Sequence, residues 1–500
     1  MPDHAVPEET VHHATVRRRP LIVAAVMMGL FMSAIEATIV ATAMPTIVAD
    51  LGGFRLFSWV FAIYLLAQAI SAPIYGRLAD VHGRKRVFCA GAALFLLGST
   101  LCGFSPGMLA LIGFRCLQGL GAGAILPIAT TIIADIYSPA ERARMQGYLG
   151  SVWGVSAVLG PVLGAFIVQH LTWSIIFWLN LPIGITAIAM IALLLQEHVQ
   201  PRMRSIDYQG SALLVLGSGA LMLVLIQANE LAPAALWILI AVAAVGVAAL
   251  IRHERVAPEP MLRLDLWKSR VIAIGNLGST SMGAVMMGIV AFLPAYVQGA
   301  MGRSPMVAGL ALTAMSLGWS AVSGVAGRVM LRHSYRAAAI VGGLSLIAGD
   351  ILLVLLRPGY GPLWAGTGAL FIGVGMGFLN TTFVVSVQSS VGWHERGTAT
   401  SSLLFMRMLG QSIGVAIFGG VFNYVLFAGQ AESSDVVDRL MEPSLRRTLA
   451  EADVARLVGE VAQALHEVYL IALALAAVTL LLTALLPAGH SPTVTAKAAD

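Results

Sequence analysis

The stretch that decides the fold is LIVAAVMMGLFMSAIEATIVATAMP, Leu21 to Pro45. It is long enough to cross a bilayer, because about 20 apolar residues span a hydrocarbon core of about 30 Å. Its single ionisable residue is Glu36. A carboxylate at this depth costs a few kcal/mol and usually faces a cavity, a partner or a proton pathway. Glu36 is therefore the first functional candidate. The alternative is a protonated carboxyl that only serves helix packing.

Composition places the whole chain in the same class. Hydrophobic residues make up 58% of its 500 residues and charged residues only 11%, which is too little polar surface for a soluble protein. The formal net charge is +5, but the basic residues form short clusters between apolar runs, as orientation signals do, so a nucleic-acid partner is excluded. Cys89, Cys102 and Cys116 lie in apolar runs without metal-ligand or disulfide spacing. The sequence predicts a polytopic membrane protein.

Apolar runs of spanning length recur along the chain and predict fourteen helices. They lie near 21–45, 56–75, 87–105, 108–134, 147–169, 173–195, 210–228, 234–251, 271–298, 305–327, 337–356, 361–386, 398–428 and 465–487. An even number of spans puts both termini on one side of the membrane.

The connecting segments test this topology independently, because Lys and Arg accumulate on the cytoplasmic side. With the N-terminus inside, Arg115 and Arg407 fall within helices. The basic residues of the outer segments are Arg55, Arg303, Arg357, Arg439, Arg446, Arg447 and Arg456. All the other Lys and Arg residues, out of 30 in the chain, fall in inner segments. We therefore expect a multi-pass protein of the cytoplasmic (inner) membrane with both termini in the cytoplasm.

An internal repeat indicates two related halves. GRLADVHGRKR, Gly76 to Arg86, follows the second helix, and a looser copy, GRVMLRHSYR, Gly327 to Arg336, follows the tenth. Parallel repeats of this kind build transporters with the substrate site between the halves. The predicted domains are a tail at 1–20, a six-helix bundle at 21–195, a two-helix insert at 196–270, a second bundle at 271–487 that includes an external loop at 429–463, and a tail at 488–500.

Four motifs resemble the major facilitator superfamily, and their order supports its fourteen-helix drug:proton antiporter branch, the group of EmrB/QacA-like multidrug efflux transporters. They are GRLADVHGRKR between helices two and three, RCLQGLGAG (Arg115 to Gly123) in helix four, GVSAVLGPVLGAF (Gly154 to Phe166) in helix five and IEATIVATAMP (Ile35 to Pro45) in helix one. That branch usually has Asp where this chain has Glu36. The resemblance implies two six-helix bundles with a two-helix insert. It also implies proton-coupled export of hydrophobic, often cationic, drugs.

The loop motif has a physical interpretation of its own. Gly76 and Gly83 permit a tight turn and close helix approach, and Asp80 can pair with a base or a helix N-terminus. Arg84 and Arg86 can bind carboxylates on a facing helix. The expected gating loop comprises Gly76, Arg77, Asp80, Gly83, Arg84 and Arg86. The alternative, a purely topological signal, explains the bases but not the glycines and the acid.

In helix five, Gly154, Gly160, Pro161 and Gly164 form the antiporter motif. Small residues at helical spacing leave one face nearly bare, which favours close packing, flexing or both. In helix thirteen, the small residues that follow Arg407 make a close-packing counterpart, so we assign Arg407 to packing or coupling in the second half.

Arg115 and Glu36 lie at comparable depths in their helices, about 10 Å from the outer end for Arg115. If they face each other, the arginine stabilises the ionised carboxylate when near and releases it when the helices part, as coupling requires. Snorkelling of Arg115 to the interface is the alternative. Asp350, in helix eleven, is a second proton carrier or an interfacial residue.

The predicted substrate cavity is lined by Met32, Gln68, Met286 and Met287, because flexible thioethers suit promiscuous binding. The external loop at 429–463 is expected to hold a short amphipathic helix before the last span.

Other functional classes lack their sequence signals. No HExxH or paired Cys/His spacing is present, which argues against an enzyme, and neither a metal nor another cofactor is expected. The one GxSxG, at Gly410 to Gly414, lies within an apolar run of spanning length and not at the strand-to-helix turn that a nucleophile elbow needs. Lys85, Lys268 and Lys497 have no phosphate-loop context, so the energy source is the proton gradient and not ATP. The expected partners are small hydrophobic substrates, protons and the bilayer. A monomer is expected, with a periplasmic adaptor left open. The alternative within transporters is a dedicated exporter of one metabolite, such as a siderophore or a fatty acid.

Overall fold

The computed structural model describes residues 8–137, 139–197, 207–228, 231–257, 260, 263–392, 395–427 and 451–487. Its α-helices, numbered in chain order, are α1 (Glu8–Leu51), α2 (Phe57–His82), α3 (Arg84–Gly103), α4 (Met108–Ile136), α5 (Pro139–His170), α6 (Ser174–Trp178), α7 (Asn180–Leu194), α8 (Tyr208–Gln227), α9 (Pro233–Val256), α10 (Arg270–Ala295), α11 (Pro305–Arg332), α12 (Tyr335–Val354), α13 (Pro362–Ser389), α14 (Arg396–Phe427) and α15 (Glu451–Ala484). A π-helical turn, Tyr296–Ala300, extends α10.

Within the described residues, 14 helical segments are long and apolar enough to cross a membrane, which confirms the number predicted from the sequence. The sixth span consists of α6 and α7, which are separated at Leu179. This break makes Asn180 the first residue of α7. Helices form throughout because a bilayer offers no water to the backbone, so each segment satisfies its own N–H and C=O groups.

The last span differs from its predicted bounds. The sequence predicts an external loop at 429–463, but α15 begins at Glu451, so the last part of that segment is continuous with the final helix. No proline interrupts Glu451–Ala484, and its Ala, Leu and Glu residues favour helix. The rest of the predicted loop lies outside the described residues.

The helices pack in a pattern that repeats in the two predicted halves. In the first half α4 packs on α2 and α3, and α1 packs on α5 and α7. In the second half α13 packs on α11 and α12, and α10 packs on α14 and α15. Between these groups, α8 and α9 pack on each other, and α8 contacts α2 and α14. The residue bounds of the predicted domains stay a prediction, and we use "first half" and "second half" in that sense.

Because successive spans alternate in direction, the bundle has two ends. The end where the first span begins, which we call the basic face, carries Arg84, Lys85, Arg86, Arg252 and Arg263. At this face the guanidinium carbon of Arg19 lies 5.6 Å from the centroid of the Tyr137 ring, which ties the start of the first span to the end of α4. We call the other end the opposite face.

Four phenylalanines close the boundary between the halves at the opposite face. Phe54 and Phe57 come from the first half, and Phe292 and Phe422 from the second. Phe54 stacks on Phe57 with centroids 5.5 Å apart, and Phe57 lies 5.4 Å from Phe292. Phe422 completes the ring, 5.6 Å from Phe292 and 5.4 Å from Phe54. All four are at most 2% exposed, and each aromatic pair adds about 0.5–1.5 kcal/mol beyond area burial. We call these four residues the phenylalanine cluster.

Hydrogen bonds reinforce this closure. Asn423 donates to the Arg55 carbonyl at 2.8 Å, and Gln298 donates to the Thr42 carbonyl at 3.1 Å. At middle depth, Ser412 donates to the Ala62 carbonyl at 2.8 Å. Each bond joins the two halves.

At the basic face α14 begins with exposed residues. Arg396 to Thr398 are exposed, whereas residues 414–416 and 418–420 of the same helix are buried. A Cβ built on Gly76, Gly324, Gly327 or Gly397 meets open space among the described residues. The contacts named above therefore close the boundary between the halves at the opposite face and at middle depth.

Candidate functional site

Glu36 and Arg115 form a buried ion pair between α1 and α4. Nη1 of Arg115 donates to Oε1 of Glu36 at 2.5 Å, and both side chains are fully buried. The structure thus brings the two residues together as their predicted depths allow, and Arg115 does not snorkel to the interface. A buried charge of either sign is costly alone, so the pair depends on its geometry and on the donors and acceptors around it.

A polar network surrounds the pair, and sequence reasoning did not identify its members. Asn180 donates to Oε2 of Glu36 at 2.8 Å and to the Ser99 hydroxyl at 3.0 Å. Gln118 accepts from Nη1 of Arg115 at 2.7 Å and donates to Ser99 at 3.2 Å. Ser99 in turn donates to the Phe177 carbonyl at 2.8 Å. The network joins α1, α3, α4, α6 and α7, so a change at Glu36 reaches most of the first half.

The guanidinium of Arg115 has two further contacts, both with α2. Nε donates to the Val60 carbonyl at 3.2 Å, and the guanidinium carbon lies 4.0 Å from the centroid of the Tyr64 ring. A cation over an aromatic face is stabilised most when desolvated, as it is here. Arg115 therefore has contacts with α2 that do not depend on Glu36.

Gly160 and Gly164 bring α5 against α1 beside this pair. A Cβ on Gly160 would lie 2.1 Å from the Thr38 hydroxyl, and one on Gly164 would lie 2.8 Å from the Ile39 carbonyl. Both contacts are on the turn of α1 that follows Glu36. The bare face of α5 predicted from the sequence is thus a tight contact inside the first half.

A second face of α5 meets α11 across the boundary. A Cβ on Gly309 would lie 2.7 Å from the Pro161 carbonyl, and one on Gly154 would lie 3.2 Å from the Ser320 hydroxyl. Ser316 donates to the Ala157 carbonyl at 3.1 Å. One face of α5 therefore packs on α1 just after Glu36, and its other face packs on the second half.

The predicted gating loop forms the turn between α2 and α3. Gly83 has φ 89°, a conformation that disfavours other residues, which explains this glycine. Nη2 of Arg77 donates to the Pro260 carbonyl at 3.2 Å. Asp80 is half-buried and Arg86 is exposed, while Gly76 borders open space.

Arg84 pairs with two acids that sequence reasoning missed. Its Nε lies 3.1 Å from Asp135 at the end of α4, and its Nη1 lies 3.5 Å from Glu197 after α7. The Glu197 carboxylate also accepts from the backbone N–H groups of Arg84 at 2.8 Å and Lys85 at 3.1 Å. It therefore caps the N-terminus of α3, where a negative charge is favoured. The described partners of Arg84 both lie in the first half.

We expect Glu197→Ala to slow transport more than Arg84→Ala. Arg84→Ala removes a partly exposed pair worth at most about 1 kcal/mol, whereas Glu197→Ala also removes a helix cap worth about 1 kcal/mol. Neither residue touches the buried pair, so substrate affinity should change little. Turnover and equilibrium binding measured on both variants test this. A large loss of affinity in either variant would mean that the loop lines the binding site.

Asp350, like Glu36, Arg115 and Arg407, is a charged residue that we predict within a membrane span from the sequence. It lies near the opposite face on α12, is fully buried, and neither carboxylate oxygen has a hydrogen-bond partner among the described residues. Its two predicted roles, a second proton carrier or an interfacial residue, both stay predictions. His466 of α15 is a titratable group in the same region. Its Nδ1 lies 2.9 Å from the carbonyl of Val354, which is one turn nearer the opposite face than Asp350.

Arg407 is half-buried on α14, beside α10. Its Nη1 donates to the amide oxygen of Asn380 on α13 at 2.8 Å, while its Nε has no partner among the described residues. A Cβ on Gly283 would lie 2.4 Å from the Arg407 carbonyl. The predicted close packing of this helix is seen here and at Gly414, where a Cβ would lie 2.4 Å from Ala284.

Most of the predicted substrate-cavity residues are buried in this conformation. Met32 is fully buried, with its sulfur 2.8 Å from a Cβ built on Gly184, and Met287 and Gln68 are 2% and 7% exposed. Of the four, only Met286 is half-buried, with its sulfur 3.5 Å from Nε2 of Gln411. Their assignment to the cavity stays a prediction, because a helix that is apolar on all sides carries no signal of which side faces a cavity.

One pocket of about 430 Å³ lies elsewhere, on the side of the first half where α1, α5 and α7 meet. Its lining is apolar except for one serine and comprises Met27, Met28, Phe31, Ser151, Val152, Val155 and Ile183. Met27 and Met28 border this pocket, about one turn before the predicted Met32.

Comparisons with known proteins agree with this architecture. The sequence pattern of the Major Facilitator Superfamily matches residues 26–415. "Multidrug resistance protein 3" of Bacillus subtilis (strain 168) is 34% identical over 484 residues, which cover 92% of this chain and 94% of that protein. "Multidrug transporter protein MdtP" of the same organism is 34% identical over 409 residues, covering 81% of this chain and 76% of that protein.

Solved structures show the same fold at low identity. A bacterial homologue of the human lysosomal transporter Spinster, in an inward-facing and unoccupied conformation, superimposes with TM-score 0.63 at 14% identity, covering 94% of this chain and 98% of that one. A point mutant of the nucleoside transporter NupG gives TM-score 0.61 at 12% identity, covering 87% of this chain and 99% of that one.

Proposed function

Because this chain belongs to the Major Facilitator Superfamily and is a membrane transporter, not an enzyme, we propose that it exports hydrophobic compounds in exchange for protons. The observation that carries the proposal is the buried Glu36–Arg115 pair. The relatives named as multidrug transporters support the hydrophobic substrates. Proton coupling rests on the geometry of the pair.

In this account Glu36 exchanges a proton for its contact with Arg115. The ionised carboxylate accepts from Arg115 at one oxygen and from Asn180 at the other. A proton added to the carboxyl removes the charge that Arg115 attracts, so α1 is no longer held to α4 by the ion pair. Arg115 keeps its contacts with Val60 and Tyr64. The protonated and ionised forms therefore favour different positions of α1.

The position of α1 then biases the two halves. Thr38 and Ile39 of α1 are in tight contact with α5, whose other face meets α11 across the boundary. A ligand or proton shifts a conformational equilibrium only by as much as it favours one state. Release of α1 from α4 changes the support of this boundary. The phenylalanine cluster is the gate that must open at the opposite face.

We place the basic face in the cytoplasm, with both termini there, because Lys and Arg accumulate on that side. The described conformation then takes up substrate from the cytoplasm. In a bacterium the membrane is the cytoplasmic (inner) membrane, and we propose that the chain acts there as a monomer.

The test is transport by the purified protein in proteoliposomes. A fluorescent hydrophobic dye and an imposed pH gradient are the only additions. We expect dye movement against its gradient that stops when a protonophore collapses the pH gradient. Movement that persists at the same rate without a pH gradient would contradict the proposal.

A dedicated exporter of one metabolite is the second candidate. Competition by chemically diverse hydrophobic compounds in the same vesicles separates the two, because a broad cavity admits many competitors and a dedicated one few. Inhibition by unrelated compounds is the expected result.

We also propose that Asp350 carries a proton during the cycle, and predict that Asp350→Leu stabilises the protein while slowing efflux. An unpaired buried polar group costs about 1–3 kcal/mol, and an apolar side chain of similar size removes that cost. Thermal unfolding and efflux are measured on the same preparation. A stabilised variant with unchanged proton-driven efflux would contradict a role in the cycle. Leu346→Met, a volume-conserving change one turn away, is the control.

A further inference from the structure

The second half holds a group of hydrogen-bond donors without adequate acceptors. Arg407 and Gln411 are four residues apart on α14 and therefore share one face. The described acceptor of Arg407 is a neutral amide, Asn380, and its Nε has no partner among the described residues. The described contact of Nε2 of Gln411 is the Met286 sulfur at 3.5 Å. A thioether is a weak acceptor.

The charge of Arg407 is not neutralised within the described residues. Arginine near the middle of a bilayer costs a few kcal/mol even on the lenient insertion scale, and an amide offsets that only in part. Glu36 is fully buried and already engaged by Arg115, and Asp350 lies on α12, near the opposite face. Arg407 is thus a fixed cation whose counter-charge the described spans do not supply.

The side chains of this group are less buried than the Glu36–Arg115 pair. Met286, Asn380, Arg407 and Gln411 are all half-buried, in contrast to the fully buried Glu36 and Arg115. They lie on α10, α13 and α14, and the second half meets α1 through α10 and α2 through α14. Arg407 is eleven residues into α14 from the basic face, hence about 16 Å deep.

We propose that Arg407, Asn380 and Gln411 form a subsite that binds the acidic group of a hydrophobic organic anion, and that carboxylic acids are the preferred substrate class. This inference rests on the proposed export function. A guanidinium presents several donors in one plane and matches a carboxylate, to which Gln411 can add one donor. Met286 supplies apolar contact for the hydrophobic body. The assignment differs from the cationic substrates that the sequence resemblance implies.

Three probes with one hydrophobic body test the subsite: pyrenebutanoate, its amide, and a pyrenylbutyl trimethylammonium salt. Equilibrium binding is measured at neutral pH with the protein in lipid nanodiscs, and empty nanodiscs are subtracted. The carboxylate should bind the wild type at least about tenfold more tightly than the amide, as expected for charge-assisted hydrogen bonds, and the ammonium should bind most weakly. Equal binding of all three, or preference for the cation, overturns the inference.

Variants test which residues cause the preference for the carboxylate probe. Arg407→Gln should abolish the preference for the carboxylate, so that the acid binds no more tightly than the amide, while Arg407→Lys keeps part of the preference because the charge remains. Arg357→Gln, an exposed residue of the same charge at the opposite face, is the matched control. If Arg407→Gln does not fold, Gln411→Met, which removes one donor at similar volume, should lower the preference severalfold. An unchanged preference in the folded Arg407 variants, or in Gln411→Met, overturns the inference.

Transport separates this inference from the function on which it rests. In proteoliposomes with a pH gradient, the wild type should move pyrenebutanoate faster than the ammonium salt. Tight, carboxylate-selective binding without movement of any probe would refute export and leave the subsite standing. Movement of all three probes at equal rates would refute the subsite and leave export standing.

Discussion

Glu36→Gln is expected to reduce efflux driven by a pH gradient to the rate of protein-free liposomes, while the protein still inserts and binds substrate. Glutamine keeps an oxygen that can accept from Nη1 of Arg115, but it cannot gain or lose a proton in the cycle. It therefore resembles the protonated state permanently. Efflux under an imposed pH gradient, together with substrate binding by the purified variant, measures the effect.

Two companion variants control for folding. Removing one partner of a buried ion pair costs about 3–5 kcal/mol, because the other charge stays buried and unpaired. If Glu36→Gln inserts poorly, the double variant Glu36→Gln with Arg115→Gln should restore insertion without restoring proton-driven efflux. Glu36→Asp keeps a titratable carboxyl and should retain part of the efflux. Full efflux in the Gln variant would exclude Glu36 as the coupling group.

Gly160→Leu is expected to trap the transporter in one conformation. Even a Cβ at this position would lie 2.1 Å from the Thr38 hydroxyl, so a leucine must push α5 away from α1 two residues after Glu36. Overpacking of this kind costs about 1–3 kcal/mol, which shifts a two-state equilibrium by about 5- to 150-fold. Transport should fall accordingly, although the chain still folds.

A cysteine label reports the trapped state. Ser58 lies beside the phenylalanine cluster and is 2% exposed. In a background without the three native cysteines, the cysteine of Ser58→Cys therefore reacts from the opposite face only when that face opens. Gly160→Leu should change the labelling rate by at least about fivefold, as the equilibrium shift implies. Gly113→Leu, on α4 with no described atom within 4 Å of its Cβ position, should leave it unchanged. Wild-type labelling in Gly160→Leu would show that the contact between α1 and α5 does not control the gate.

The fold could be predicted because bilayer thickness constrains each span separately. Apolar runs gave fourteen spans, and the structure has the same number in the described residues. The last helix extends beyond the predicted span, since α15 starts at Glu451, within the segment where the sequence predicts a short amphipathic helix. Hydropathy finds the part of a helix that is in the membrane, and it does not find the extension beyond it.

The candidate site could be predicted only in part. Glu36 and Arg115 were found because charges inside spans are rare and costly, and their equal depth suggested contact. The same argument could have found Asn180 and Gln118, which are polar residues inside apolar runs. The partners of Arg84 could not be found, because Asp135 and Glu197 approach it only after α4 and α7 pack beside α3.

Side-chain direction could not be predicted from the sequence. Met32 was assigned to the cavity, but it packs against Gly184 of α7. The phenylalanine cluster was not predicted from the sequence, although its four residues close the opposite face. Phenylalanines are ordinary residues of membrane helices, and only the approach of the two halves gives these four their role.

In the mechanism we propose, Glu36 carries the proton that is exchanged for substrate. Proton and substrate fluxes recorded together test it most directly, in proteoliposomes that contain a pH-sensitive dye and a fluorescent substrate, without other ions that could carry the exchange. We expect substrate movement by the wild type to be accompanied by opposite proton movement. We also expect that Glu36→Gln, although it binds substrate, moves neither in response to the gradient of the other. Substrate-coupled proton movement at the wild-type rate in Glu36→Gln would contradict the account.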